Sequence, residues 1–163
     1  MTRLGHHDTP TLFSLLDGVQ YVMLTTRDPG GALISRPLQL LELDRDGVLW
    51  FFTAASSDKV RDIDRDAAVS MTFEEPRNRM FVSISGRAAI VEDRERINRL
   101  WSVAQTIFFP RGRDDPELAL LKVVPSSGRY WDGSESLLGT LIKFGKAALL
   151  GEAQDLGTSG PIG

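Results

Sequence analysis

Mainly β, with short helices set between the strands, is the fold class that this 163-residue chain predicts. Three observations predict it. Short runs rich in β-branched and aromatic residues recur, as in Val19–Arg27 and Val48–Thr53, and Ala32–Leu43 and Ala68–Glu74 alternate with a period of two. Tight-turn sequences, Asp28-Pro29-Gly30-Gly31 and Asp46-Gly47, separate several of them and favour hairpins. Helix signals are short and fall at ends and crossings. About six strands joined mostly by hairpins imply a six-stranded antiparallel barrel with short flanking helices and a C-terminal helix.

Taken in order, Thr9-Pro10 opens a short helix ending at Gly18, with Leu12, Leu15 and Leu16 on its apolar face. Val19–Arg27 is the first strand and Ala32–Leu43 its antiparallel partner. In that partner Ile34, Arg36, Leu38 and Leu40 share one face; Ser35, Pro37, Gln39 and Leu41 share the other. Pro37 has no N–H for a ladder, so the strand is an edge there or carries a bulge. Val48–Thr53 is apolar throughout, as a central strand is. From about Ser57 a helix turns Val60 and Ile63 inward and leaves Asp58, Arg61, Asp62 and Arg65 in solvent. Ala68–Glu74 and Arg79–Val91 form the next strands around a turn at Glu75–Asn78. Gly86, inside the second, predicts a bend or bulge. Asp93 caps a helix carrying Ile97, Leu100, Trp101 and Ala104. Leu118–Val124 and Gly128–Trp131 supply the last strand, interrupted at Pro125-Ser126-Ser127. Glu135–Gly151 reads as the C-terminal helix. The domain is expected to span residues 1–151, with 152–163 a flexible tail.

Composition narrows the function. A net charge of -3 and a pI near 5.4 argue against general nucleic-acid binding. With no cysteine, thiolate metal sites and cysteine nucleophiles are excluded. His6 and His7 sit together near the N-terminus, where a solvated pair is the simpler account than a metal site, so no metal is expected. The first ten residues lack the apolar core of a signal peptide. The apolar run from Leu137 to Leu150 contains Lys143 and Lys146 and falls short of the ~20 residues a membrane span needs. A cytoplasmic protein with no membrane partner is expected.

No phosphate-binding glycine loop or nucleophile-elbow sequence occurs in the chain. What remains is Ser35–Ile63, where a strand pair leads into a loop and a helix start. Arg36, Ser57 and Lys59 could meet an anion there, helped by the free N–H groups of a helix N-terminus. Pro37, Leu38, Gln39, Phe52 and Thr53 could line a flat ring with apolar surface and in-plane hydrogen bonds. Spacing alone also fits structural duties: a strand-edge charge for Arg36, a plain N-cap for Ser57, a surface cation for Lys59.

The sequence Arg36-Pro37-Leu38-Gln39, then Phe51-Phe52-Thr53, then Ser57-Asp58-Lys59, resembles the flavin-binding signature of the pyridoxamine 5'-phosphate oxidase-like split barrels. The general stress protein branch is the nearer likeness. It shares the Val82–Ala88 strand, the Phe109-Pro110…Asp115-Pro116 loop and Tyr130-Trp131-Asp132. The resemblance, over roughly Leu12–Gly151, implies an FMN-binding split β-barrel acting as a homodimer, each flavin contacting both chains. It places Arg36, Pro37, Leu38 and Gln39 beside the isoalloxazine ring and ribityl chain, Phe52 and Thr53 against the flavin, and Ser57 and Lys59 at the phosphate. Trp131 would approach from the partner subunit.

Two departures stand out. Asp58 occupies the position of an arginine in the oxidases, and the arginine- and histidine-bearing end that recognises pyridoxine is replaced by Ser136–Gly151. Pyridoxamine phosphate oxidase activity is therefore not expected. The resemblance implies an FMN-binding flavoprotein, with FAD left open. It would be either an NAD(P)H-linked oxidoreductase on a small molecule or a non-enzymatic flavin-sequestering stress protein. Haem or a deazaflavin is the third alternative, and haem is disfavoured by the absence of cysteine and of internal histidines.

Overall fold

The computed structural model describes residues 11–75, 80–132 and 159–161. Helix α1 (Leu12–Leu16) precedes β1 (Tyr21–Arg27), β2 (Leu33–Gln39), β3 (Glu42–Leu43) and β4 (Leu49–Ala54). Helix α2 (Asp58–Arg65), β5 (Ala68–Glu75), β6 (Met80–Val91) and α3 (Arg94–Leu100) follow. Two 3-10 turns at Val103–Ile107 and Gly112–Asp114 then lead to β7 (Leu118–Asp132), and β8 (Ser159–Pro161) ends the described chain. The strands order as β2-β1-β5-β6-β7-β4-β3, all pairings antiparallel, and β8 pairs with β7.

β2 and β3 lie at opposite ends of that path, yet only Leu40 and Leu41 separate them. The sheet must therefore curl until its outer members meet, giving a half-barrel. The hydrogen bonds show the hand-over: Leu40 N–H donates to Gln20 C=O beside β1 (2.9 Å), and Leu41 N–H donates to Trp50 C=O on β4 (3.0 Å). Here the six-strand expectation needs correction. The expected Ala32–Leu43 strand is two strands, because consecutive residues bond to opposite ends of the sheet. A further short strand, β8, comes from within the stretch expected to be tail. The expected C-terminal helix, the Thr9-Pro10 helix start and the two histidines lie outside the described residues. The cap of α1 is Thr11, whose hydroxyl accepts from Ser14 N–H.

Alternation fills the inside of the curl. Val22 and Leu24 from β1, Met71 from β5, Ile84 from β6 and Val123 from β7 are almost wholly buried, with Leu15 of α1 and Ile63 of α2 packed on them. β4 is buried on both faces. Leu49 and Phe51 join this core; Trp50 and Phe52 join a second cluster with Ile97, Phe109 and Leu120. That second layer places α3 and the 103–109 segment over β4, which shapes the site below.

Pro37 lies on β2, which among the described residues pairs with β1 alone, in keeping with the edge expectation. Gly86 marks a bulge: Ser85 faces Ser127 while Gly86 faces Pro125, so Ser126 is the extra residue. A Cβ on Gly86 would stand 2.6 Å from Val124 O, closer than van der Waals contact allows. The expected interruption at Pro125-Ser126-Ser127 is thus a bulge within one continuous β7.

Candidate flavin and phosphate cleft

A cleft of about 420 Å³ opens between the end of β2, the end of β4 and the 103–109 segment. That is within the ~300–1,000 Å³ usual for small-molecule sites. Pro37, Leu38 and Gln39 form one wall, Phe52, Thr53 and Ala54 another, and Phe108 and Phe109 a third, with Lys59 at one end. Six of the nine expected residues therefore line it: Pro37, Leu38, Gln39, Phe52, Thr53 and Lys59.

Arg36, Ser57 and Trp131 do not. Strand alternation turns Arg36 inward, where it donates to Thr26 Oγ1 (2.6 Å); Thr26 in turn donates to Asp62 Oδ2 (2.8 Å). Asp62, expected in solvent, is buried, because it answers Arg36 at 3.9 Å and Arg65 at 3.7 Å. A buried carboxylate without such partners would be too costly to keep. Trp131 sits on β7 opposite Phe81 and is not among the residues that line this cleft. Ser57 is the extended N-cap of α2, between two cleft residues, Ala54 and Lys59, yet its side chain caps nothing.

Two hydroxyls stand out. Thr53 Oγ1 and Ser57 Oγ are buried and have no hydrogen-bond partner among the described residues. Native proteins leave few such groups, since each costs about 1–3 kcal/mol. They bracket the loop entering α2, whose first N–H groups, at Asp58 and Lys59, have no carbonyl a turn earlier to bond.

Lys59 is half-buried and makes no ion pair or hydrogen bond among the described residues. Burial, and after it the nearby Arg36 charge, push its amine below the usual lysine value, with Asp58 opposing. Asp58 itself points outward to Arg61, its ion-pair partner, and Arg61 also donates to Ser56 C=O (2.5 Å). Asp58 thus has a partner cation, while its charge still reaches Lys59. This side of the cleft therefore combines a cation without an ion-pair partner, the start of a helix and the hydroxyl-bearing Thr53, with Ser57 beside them in the loop, a set suited to an anion such as a phosphate.

Sequence reasoning missed Gln105. It is buried, lines the cleft, and its Nε2 donates to Gln39 Oε1 (3.3 Å). An amide inside the mostly apolar VAQTIFF run was the available signal. Tyr21, Leu41 and Phe108 were missed as well. Phe108 is largely exposed at the lip, which nothing in local spacing foretells. Among the described residues no group of acidic or histidine side chains could hold a metal, and no helix is long and apolar enough to cross a membrane.

The family model described as pyridoxamine 5'-phosphate oxidase like matches residues 7–155. Protein bli-3 of Neurospora crassa is 24% identical over 151 residues, covering 86% of this chain and 72% of that protein. The general stress FMN/FAD binding protein of Xanthomonas citri superposes with a TM-score of 0.65 at 28% identity, over 76% of this chain and 87% of that one. A Clostridium acetobutylicum protein related to general stress protein 26 superposes with a TM-score of 0.66 over 76% of this chain and 87% of that one; at 22% identity it speaks for the fold alone. The chain belongs to the pyridoxamine 5'-phosphate oxidase-like family, with general stress proteins among its structural neighbours.

Proposed function

We propose that this chain is an FMN-binding flavoprotein of the general stress type, built as a split barrel. The observation that carries the proposal is the cleft itself. Apolar walls from Leu38, Phe52 and Phe109 suit a conjugated ring, and Thr53 and Lys59 share the lining, with Ser57 next to them in the loop that enters α2. A ligand that is flat at one end and dianionic at the other satisfies both halves. Gln39 and Gln105 add amide groups for the ring edge. The X. citri relative, described as an FMN/FAD binding protein, supports the choice of flavin. When bound, the flavin supplies two-electron redox chemistry; these residues bind it, orient it and shield one face from water.

The chain is further proposed to act as a homodimer. Trp131 does not line its own chain's cleft, so it can meet a flavin only from a second copy. Whether the flavin turns over defines two readings. An NAD(P)H-linked reductase would bleach the bound flavin with NADH or NADPH and recover its colour with an acceptor. A sequestering protein would hold oxidised flavin unchanged with either donor. The test of binding is the absorption spectrum of the purified protein. Bands near the visible flavin positions are expected; a haem Soret band or a deazaflavin spectrum would replace the proposal.

A further inference from the structure

Glu117 lies just before β7, sixty-one residues along the chain from Ser56, and no motif marks it. It nevertheless makes three hydrogen bonds to the loop that enters α2. Its backbone C=O accepts from Ala55 N–H (2.8 Å), and its carboxylate accepts from Ser56 N–H (3.1 Å) and from Ser56 Oγ (2.6 Å). The loop has few other ties: Ser57 N–H donates to Ala54 C=O (3.1 Å), and Arg61 donates to Ser56 C=O.

Resting on the FMN reading above, we propose that Glu117 is a positioning residue that holds the Ala54–Ser57 loop in its anion-receiving shape, while its charge limits how tightly a dianion is held. Two consequences of one side chain oppose each other. As an acceptor, it fixes Ser56 and thereby the loop carrying the Ser57 hydroxyl and the approach to Lys59. As an anion, it repels a phosphate and occupies one N–H at the helix entrance. The bonds from Ser56 hold the carboxyl below the usual carboxylate range, so both effects persist through neutral and mildly acidic pH. The site then carries Lys59 and the helix start against the Glu117 charge, while Asp58 pairs with Arg61.

Substitutions separate the two effects because glutamine can accept the same bonds without the charge. FMN and riboflavin affinities would be measured by flavin fluorescence quenching on the full chain, with a thermal melt for each variant. Glu117→Gln should bind FMN about two- to five-fold more tightly, the scale of one exposed charge. Glu117→Ala, which loses the clamp, should bind FMN about five-fold more weakly or worse despite losing the same charge. Riboflavin affinity should stay within about two-fold in both, since it lacks the phosphate. Ser56→Ala, losing the 2.6 Å bond, should weaken FMN in the direction of Glu117→Ala. The inference is overturned if the Gln and Ala variants shift FMN affinity in the same direction, if neither shifts it, or if riboflavin moves as far as FMN. Failure of the underlying FMN reading looks different: the wild-type protein would then not distinguish FMN from riboflavin.

Discussion

Lys59 shows what the proposed anion site would cost the ligand-free chain. Its amine is half out of water, near Arg36, with no ion-pair partner among the described residues and only partial opposition from Asp58, and its affinity for a proton is lowered accordingly. The folded, ligand-free chain therefore holds the Lys59 proton less tightly than the unfolded chain. Between the depressed folded value and the unfolded 10.5, the unfolded state binds more protons, so stability of the ligand-free protein should rise with pH across that window. Lys59→Met should remove this rise and leave the ligand-free protein at least as stable as wild type at neutral pH. A melting temperature lowered by the substitution would contradict that reading of Lys59. The same charge predicts a bell-shaped pH profile for FMN affinity. Binding should strengthen as the phosphate loses its second proton near pH ~6 and weaken as Lys59 deprotonates, below the pH typical of lysine. In Lys59→Met the alkaline limb should vanish; its persistence would assign that limb to another group.

At the scale of elements, the cleft sits where the chain changes ladders, and a bulge bends the sheet elsewhere. β2 leaves β1 at Leu40 and Leu41 to reach β4, which opens the end of β2 to a ligand. β7 bulges at Ser126. Gly86 permits that second feature, since an added methyl would meet Val124 O at 2.6 Å. Gly86→Ala should cost about 1–3 kcal/mol, as overpacking does, read as a lower urea midpoint with unchanged slope. A midpoint equal to wild type would mean that the backbone yields freely there. Much of this was legible in sequence. Turn residues and alternation place β1, β4, β5 and β6; Pro37 marks an edge; Gly86 marks a bulge. What was hidden depends on distant partners. The break within Ala32–Leu43 arises from hydrogen bonds to Gln20 and Trp50. Asp62 reads as a solvated helix charge until Arg36 and Thr26 arrive from other strands. Gln105 and Phe108 reach the cleft because α3 and its sequel pack on Phe52 and Trp50.

For the whole molecule, the proposal has one flavin cleft completed by a second copy. Trp131→Ala should then weaken flavin binding in the assembled protein while leaving its far-ultraviolet circular dichroism unchanged. Unaltered affinity would remove Trp131 from the site. Sedimentation at micromolar concentration should give twice the 18.0 kDa mass, and a monomer carrying tightly bound FMN would contradict the dimer. The claim on which all of this depends is that one end of the cleft was made for a phosphate. The direct measurement is a parallel titration with FMN and riboflavin of the wild-type protein and of the Ser57→Ala/Lys59→Ala double variant. Wild type should prefer FMN, and the double variant should lose about ten- to a hundred-fold in FMN affinity, the worth of one charge-assisted hydrogen bond, with little change for riboflavin. Equal affinity for the two flavins in wild type, or equal losses in the variant, would contradict the account.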